Sequence, residues 1–305
     1  MALQLTPIAF GTGSFRGLYR EVPDDEAIQA IHAALDRGRM MIDTAPWYGE
    51  FQAESIVGRA LQGRPRSDYL ISTKLALWSV NRQAVRGYRR DEVLWSFEGS
   101  LNRLGLESVD LIHIHDPLES EFELIVSETY PTVASLKEQG LVGAISIGTG
   151  TLAAAERLAD VLPLDCVMIA GRYTLLDQSA LPFLNRLADR GTPAIAAGIY
   201  STGILATGAV PGAKFNYGDA PPDILERVRQ LEAVCARHQV SLKSAAAQFV
   251  RAHPAHHSIV MGIESPAQLH ETLAAFDSPI PPEFWHELKS LQLIHPESPI
   301  PEASS

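Results

Sequence analysis

Apolar, β-rich runs alternate with segments of helical periodicity along most of the chain. The runs PIAFG (7–11), MMIDT (40–44), YLISTK (69–74), VDLIHIH (109–115), GAISIG (143–148), CVMIAG (166–171), PAIAAGI (193–199) and SIVMGI (258–263) each have the length of a strand. Several are nearly uninterrupted apolar stretches, the pattern of parallel strands covered on both faces. The segments between them read as helices. PDDEAIQAIHAALDRG (23–38) opens with acidic residues in its first turn and stops at Gly38. RDEVLWSFEGSLNRLG (90–105) places Val93, Leu94, Phe97, Leu101 and Leu104 on one face and stops at Gly105, and PDILERVRQLEAVCARHQV (222–240) follows the same scheme. Eight strands alternating with at least eight helices, with no linker that would divide them, predict an α/β protein: a single (β/α)8 TIM barrel over residues 1–293. Residues 294–305, polar and rich in proline, are expected to form an irregular tail. Two connections are long, from Lys74 to about Arg90 and from about Tyr200 to Pro222, and loops of this kind on the C-terminal face of a barrel commonly cover substrate or cofactor.

Composition narrows the class. A chain of 305 residues buries enough core to need no covalent staples, and Cys166 and Cys235 have neither bridge-framework nor metal-ligand spacing. A reducing, cytoplasmic setting is expected. MALQLTPIAFGTG lacks a basic segment followed by an apolar one, so no signal peptide is expected, and no apolar run reaches membrane-spanning length. The net charge of −11 and the lack of basic stretches interleaved with aromatics argue against a nucleic-acid partner.

The candidate chemistry lies at strand ends. Asp43 and Tyr48 in MMIDTAPWYGE, Lys74 in YLISTKL and His115 in VDLIHIHDP bring an acid, a phenol, an amine and an imidazole from three strands. Catalytic residues of parallel barrels come from the C-terminal ends of different strands. A phenol with a pKa of about 10 is a poor proton shuttle at neutral pH. A neighbouring ammonium favours the phenolate, and a carboxylate keeps that ammonium charged and in place. Asp43, Lys74 and Tyr48 can form such a relay, with His115 donating to the same substrate oxygen. The set suits hydride transfer, in which an alcohol loses a proton as its carbon loses hydride. Any one of the four alone reads more readily as a core histidine, a helix cap or an ion-pair partner; their combination carries the argument.

From GTGSF to SPAQLHETLAAFDSPIP the sequence resembles the aldo-keto reductase family, with DTAPWYG, STK and HIHDP as its specific segments. The resemblance implies a barrel that binds a nicotinamide cofactor without a Rossmann domain. It implies Tyr48 as proton donor and acceptor, Lys74 and Asp43 as its tuning pair, and His115 as orienter. GLYREV, DTAPWYG, AGRYTLLDQSAL, APPDILERV and RVRQLEAVCARH resemble the aldose 1-dehydrogenase branch of that family. That likeness implies oxidation of a sugar lactol (L-fucose, L-galactose or D-arabinose type) to its lactone, with pyridoxal hemiacetal as the main rival substrate.

The resemblance also implies a cofactor site. VMGIESPAQLHET is similar to the loop that holds the adenosine end, where members using NADP often carry cations; here Gly262, Glu264 and Gln268 stand at those positions, with Thr272 following. A carboxylate repels a 2′-phosphate and accepts hydrogen bonds from a ribose diol, so Glu264 predicts NAD over NADP. GIYSTGILA (198–206) is similar to the pyrophosphate loop, with Tyr200, Ser201, Gly203 and Leu205 as candidate contacts, and small residues there admit the phosphates to backbone N–H groups. Gly11, Thr12 and Gly13, with Asp43, complete the expected set. The usual Ser-Asn pair reads Gly150-Thr151 and the usual Gln reads Ala170, so Thr149, Thr151 or Arg172 is left to orient the nicotinamide amide, with Gly150 alongside. Phe15, Trp47 and Trp78 are candidate pocket walls with Tyr48 and His115. Asp116 has two readings, a carboxylate for sugar hydroxyls or a turn-former before Pro117.

Two segments mislead. IGTGTLA (Gly148, Gly150, Ala153) matches G-x-G-x-x-A, but the next strand ends without an acid for a ribose, so a tight turn is expected instead of a Rossmann site. HPAHHS (His253, His256, His257) precedes the last strand, and surface histidines are expected there, not a metal site. Rival functions are a Schiff-base aldolase with Lys74 as nucleophile, a carbonyl-reducing enzyme of the same family, and a non-enzymatic nicotinamide-sensing subunit.

Overall fold

The computed structural model describes residues 4–15 and 21–301. All eight expected strands are present: β1 (Ile8–Gly11), β2 (Met40–Asp43), β3 (Tyr69–Leu75), β4 (Val109–His115), β5 (Val142–Thr149), β6 (Cys166–Ala170), β7 (Ala194–Ala197) and β8 (His256–Gly262). They hydrogen-bond in the order β1-β8-β7-β6-β5-β4-β3-β2 and close into a barrel. The pairs β1–β2, β2–β3, β3–β4 and β4–β5 are parallel, so each strand lies beside its successor in the chain. The chain divides into two compact units, Met1–Met168 with Val260–Leu269, and Ile169–Ile259 with His270–Ser305.

In the first unit, α1 (Asp24–Leu35) begins with Asp24, Asp25 and Glu26, whose charges suit the positive end of a helix, and buries Ala27, Ala30, Ile31, Ala34 and Leu35 at helical spacing. α2 (Gln52–Leu61) and α3 (Arg90–Leu104) follow β2 and β3. α3 ends at Gly105, which has φ of 67° and lets the amide of Leu106 donate back to Leu101 O. Strand alternation sorts the residues of β3: Thr73 faces out and its hydroxyl donates to Glu54 Oε1 of α2 at 2.6 Å, while Ser72 and Lys74 face the opposite side. Glu54 is fully buried and its second oxygen meets Arg103 Nε of α3 at 2.7 Å, so one carboxylate joins a strand to two helices.

The connection after Lys74 is not a plain loop. It contains an antiparallel hairpin, Leu77–Val80 with Gln83–Arg86, turned at Asn81 and Arg82, which both have positive φ. Ser79 and the Arg82 amide donate to Glu50 Oε1, anchoring the hairpin on the loop that carries Tyr48.

α4 (Tyr130–Glu138) and α5 (Leu152–Val161) also belong to the first unit, and the second holds α6 (Leu181–Asp189), α7 (Pro222–His238) and α8 (Leu242–Arg251). The helix expected at 222–240 is thus present. His253, before β8, and His256, its first residue, depart from expectation. His253 is 1 % exposed, and the rings of His253 and His256 meet Tyr173 edge-on at 5.1 and 5.5 Å. Their nitrogens hold the chain locally: His253 Nδ1 accepts from the Ala255 amide, and His256 Nδ1 lies 2.8 Å from Val250 O. His253 and His256 are packing histidines, whereas His257 is exposed as expected, and no metal-holding group of three or more His, Cys, Asp or Glu occurs among the described residues. The tail is packed at its start, with Ile294 and Ser298 buried. No described helix is long and apolar enough to cross a membrane.

Candidate active site

The register of the strands assembles the site. Asp43, the last residue of β2, pairs with Ser72, Lys74 pairs with His113, and His115, the last residue of β4, pairs with Gly148. Paired positions in parallel strands share a face, and residues two apart on a strand share it too. Asp43, Ser72, Lys74, His113, His115 and Gly148 therefore present to one side of the sheet. Gly148 belongs to the IGTGTLA segment, and an added Cβ there would make ordinary contacts of 3.4 Å with His113 Cβ and 3.5 Å with Met168 Sδ.

Lys74 is 2 % exposed and donates to Asp43 Oδ2 at 2.7 Å and to Thr44 O at 2.9 Å. Burial works against its charge, but the Asp43 carboxylate and the Tyr48 oxygen outweigh it and raise its pKa above the ordinary lysine value. An ammonium so held has no lone pair for imine formation, which removes the basis of the aldolase reading. Lys74 Nζ lies 4.9 Å from the centre of the Tyr48 ring, and that ring meets His115 edge-on with centroids 6.1 Å apart. The half-buried Tyr48 also has Gly13 against it; an added Cβ at Gly13 would stand 3.4 Å from Tyr48 Cζ.

His115 is kept neutral. Burial is the main cause, and Lys74, His113 and Arg86 add to it, pushing its pKa well below the usual histidine range. A neutral imidazole carries one donor and one acceptor, so His115 can orient a substrate oxygen without competing for the proton. Its backbone is clamped: Tyr88 Oη donates to His115 O at 2.9 Å, and Arg86 donates to Asp116 O at 2.7 Å. Asp116 has φ of 41° and its amide donates to Gly148 O, so it shapes the turn after β4, while its carboxylate remains half-exposed with one oxygen 3.9 Å from His115 Nε2.

The other expected pocket residues are placed less uniformly. Trp47 is half-buried beside Tyr48 in the chain. Phe15 is wholly buried and edge-on to Phe10 at 6.0 Å, and Trp78 packs on Trp95 of α3 at 4.9 Å, so both rings are engaged by the scaffold. Reading the sequence missed Ser72, His113, Arg86 and Tyr88; the signal was the spacing of two between Ser72 and Lys74 and between His113 and His115.

For a cofactor, the first unit offers Gly11, Thr12, Gly13, Thr149, Gly150, Gly262, Glu264 and Gln268. Thr12 Oγ1 donates to Asp43 O, and Thr149 Oγ1 accepts from the Thr151 amide, so these two hydroxyls already serve the fold. Glu264 is 7 % exposed rather than turned to solvent, and its amide donates to Gln268 Oε1 at 2.6 Å. Ser14 Oγ is buried without a hydrogen-bond partner among the described residues and lies near Gly262. In the second unit, Arg172 faces Asp177 at 3.3 Å, Thr272 is buried, and Ser201 and Gly203 hold positive φ in the turn that leads to Leu205. The amides of Ser201, Gly203 and Leu205 donate within that turn, whereas Tyr200 Oη is buried without a partner among the described residues. Buried hydroxyls with unused hydrogen-bonding capacity are costly unless a ligand completes them. Within the first unit, the buried Ser14 hydroxyl beside Gly262 fits a nicotinamide dinucleotide, whose ribose groups would complete such a donor.

A closed parallel barrel with an ammonium-carboxylate pair, a phenol and a neutral imidazole at its strand ends defines an oxidoreductase acting on CH–OH groups. The aldo/keto reductase family model matches residues 7–293, and the chain belongs to that family, whose members use nicotinamide cofactors. It is 30% identical to D-threo-aldose 1-dehydrogenase of a Pseudomonas species, over 96% of this chain and 95% of that protein. It is 32% identical to pyridoxal 4-dehydrogenase of Microbacterium luteolum, again over 96% of this chain and 95% of that protein. The solved structure of an aldo-keto reductase from Bacillus halodurans in its holo form superposes with a TM-score of 0.80 at 19% identity, covering 95% of this chain and 93% of that one.

Proposed function

We propose that the protein oxidises an aldose at C1 to the lactone, with NAD preferred over NADP. The observation that carries the chemistry is the buried Lys74–Asp43 pair set beneath the Tyr48 ring. A nicotinamide cofactor, when bound, supplies the hydride acceptor. The chain does the rest. The Lys74 ammonium favours the phenolate of Tyr48, which takes the proton of the anomeric hydroxyl as C1 gives up its hydride and its C–O bond becomes double. Asp43 holds Lys74 charged. Neutral His115 donates to the same oxygen and keeps C1 in line. Two features support the finer reading: the similarity to an aldose dehydrogenase over nearly the whole chain, and the buried Glu264 carboxylate, which suits a ribose diol better than a phosphate. Asp116, half-exposed beside His115, suits sugar hydroxyls. Pyridoxal is the second reading, favoured by the similarity to a pyridoxal dehydrogenase.

The test is the initial rate of reduced-cofactor formation with L-fucose and pyridoxal, each against NAD and NADP. L-fucose turnover with NAD preferred is the expected result. Turnover of pyridoxal alone moves the substrate, and preference for NADP removes the role given to Glu264. Tyr48→Phe is expected to lower kcat by about two to four orders of magnitude, the usual worth of a positioned acid–base group, with cofactor affinity little changed.

A further inference from the structure

Beneath the four site residues runs a second polar layer. Asp43 has two oxygens. Oδ2 accepts from Lys74, and Oδ1 accepts from Ser72 Oγ at 2.9 Å. Ser72 Oγ also lies 2.9 Å from His113 Nε2. All of these side chains are buried, Ser72 and His113 completely. The direction of the chain follows from counting protons. An ionised carboxylate only accepts, and a hydroxyl has a single proton to give. Ser72 must spend that proton on Asp43, so it accepts from His113, and His113 carries its proton on Nε2. His113 is neutral, since burial foremost and then Lys74 push its pKa well below the usual range, outweighing the opposing contact with the Ile147 carbonyl. Had Ser72 instead donated to His113, two oxygens bearing lone pairs would face each other at hydrogen-bond distance in the dry interior.

Two effects on Tyr48 follow. The chain fixes the plane of the Asp43 carboxylate and hence the direction in which Lys74 points. By donating to Oδ1 it also withdraws negative charge from Asp43, so the carboxylate neutralises Lys74 less and more of the ammonium's field reaches the phenol. Both favour the phenolate. The charged and titratable groups around the cluster are Asp43, Tyr48, Lys74, His113, His115 and Asp116, with Arg86 from the hairpin.

We infer that Ser72 and His113 are positioning residues, a directed relay from His113 Nε2–H through Ser72 to Asp43 that sets the proton affinity of Tyr48. The inference rests on the role given to Tyr48 above. The experiment compares the pH dependence of oxidation in the wild type, Ser72→Ala, Ser72→Thr and His113→Phe, with whichever substrate turns over best. Ser72→Ala and His113→Phe are expected to move the rising limb of kcat to higher pH by about half a unit or more, with substrate KM unchanged. Ser72→Thr, which keeps the hydroxyl on a β-branched side chain suited to a strand, is expected to restore the wild-type limb. A uniform loss of rate with the limb unmoved overturns the inference. The wild-type tautomer is read independently by side-chain 15N NMR of the wild type, with the His113 ring assigned by through-bond correlation from its own backbone: Nε2–H supports the relay, and Nδ1–H overturns it even if the variants do not fold. Activity retained in Tyr48→Phe would instead refute the role of Tyr48, a result that neither tautomer can mimic.

Discussion

Lys74 holds a charge where charge is expensive. Moving an ammonium out of water costs several kcal/mol, and here the Asp43 carboxylate, the Thr44 carbonyl and the Tyr48 oxygen face it in return. Asp43→Asn would keep the shape and remove the compensation. It is expected to lower stability to denaturant by about 3–5 kcal/mol, as breaking a buried pair does, along with activity. Lost activity at full stability would show that Lys74 does not depend on Asp43 for its charge. The four site residues were legible in the sequence because their motifs are specific in combination. Ser72 and His113 were not, because a serine and a histidine on apolar strands read as ordinary core residues until the register is known. Once Asp43 is opposite Ser72 and Lys74 opposite His113, the same alternation that orients the Asp43–Lys74 pair orients them. Glu264 shows the converse: its position was readable, but its burial depended on a loop whose amide–Gln268 bond has no pattern in the sequence.

At the scale of elements, the strands were the clearest feature, since parallel strands covered on both faces leave long apolar runs. The hairpin after β3 was hidden. Its strands LWSV and QAVR are short, and its turn is Asn81-Arg82, where the common signal would be Asn-Gly. Arg82 accepts a left-handed conformation because its amide is held by Glu50. Contact between helices has its own demand. Gly58 lies within α2, where glycine costs about 1 kcal/mol against alanine. An added Cβ there would run into the carbonyl of Arg103, so the close approach of α2 and α3 requires it. Gly58→Ala is expected to lower Tm despite the gain in helix propensity, since overpacking costs about 1–3 kcal/mol. A melt showing equal or higher Tm would mean that α3 moves aside freely.

For the molecule as a whole, the alternation of strand and helix was enough to predict the barrel, and the strand order bears it out. Acid sensitivity follows from residues that the sequence did not mark as buried. His253 and His256 are pushed down to about 4, chiefly by burial, from an ordinary 6.5. Between these values the unfolded chain binds protons that the folded one refuses, so stability rises with pH across that window. It is fully present above about pH 6.5 and is lost progressively as pH falls toward 4. Tm measured from pH 7 to 4 is expected to decline, and less steeply in His256→Asn; identical slopes would place the acid sensitivity elsewhere. The order of the strands has a further consequence, for how the ring is made. Each strand joins the next in sequence, except that β8 must return to β1, and this joint closes the longest loop in the chain. Closure entropy grows with loop length, so this joint carries the largest closure cost of the eight. At that seam Gly11 leaves no side chain where a Cβ would stand 2.7 Å from Val260 Cγ1, and its carbonyl accepts from the Ile263 amide. The ring thus meets itself at a joint where one added methyl group would crowd the neighbouring strand.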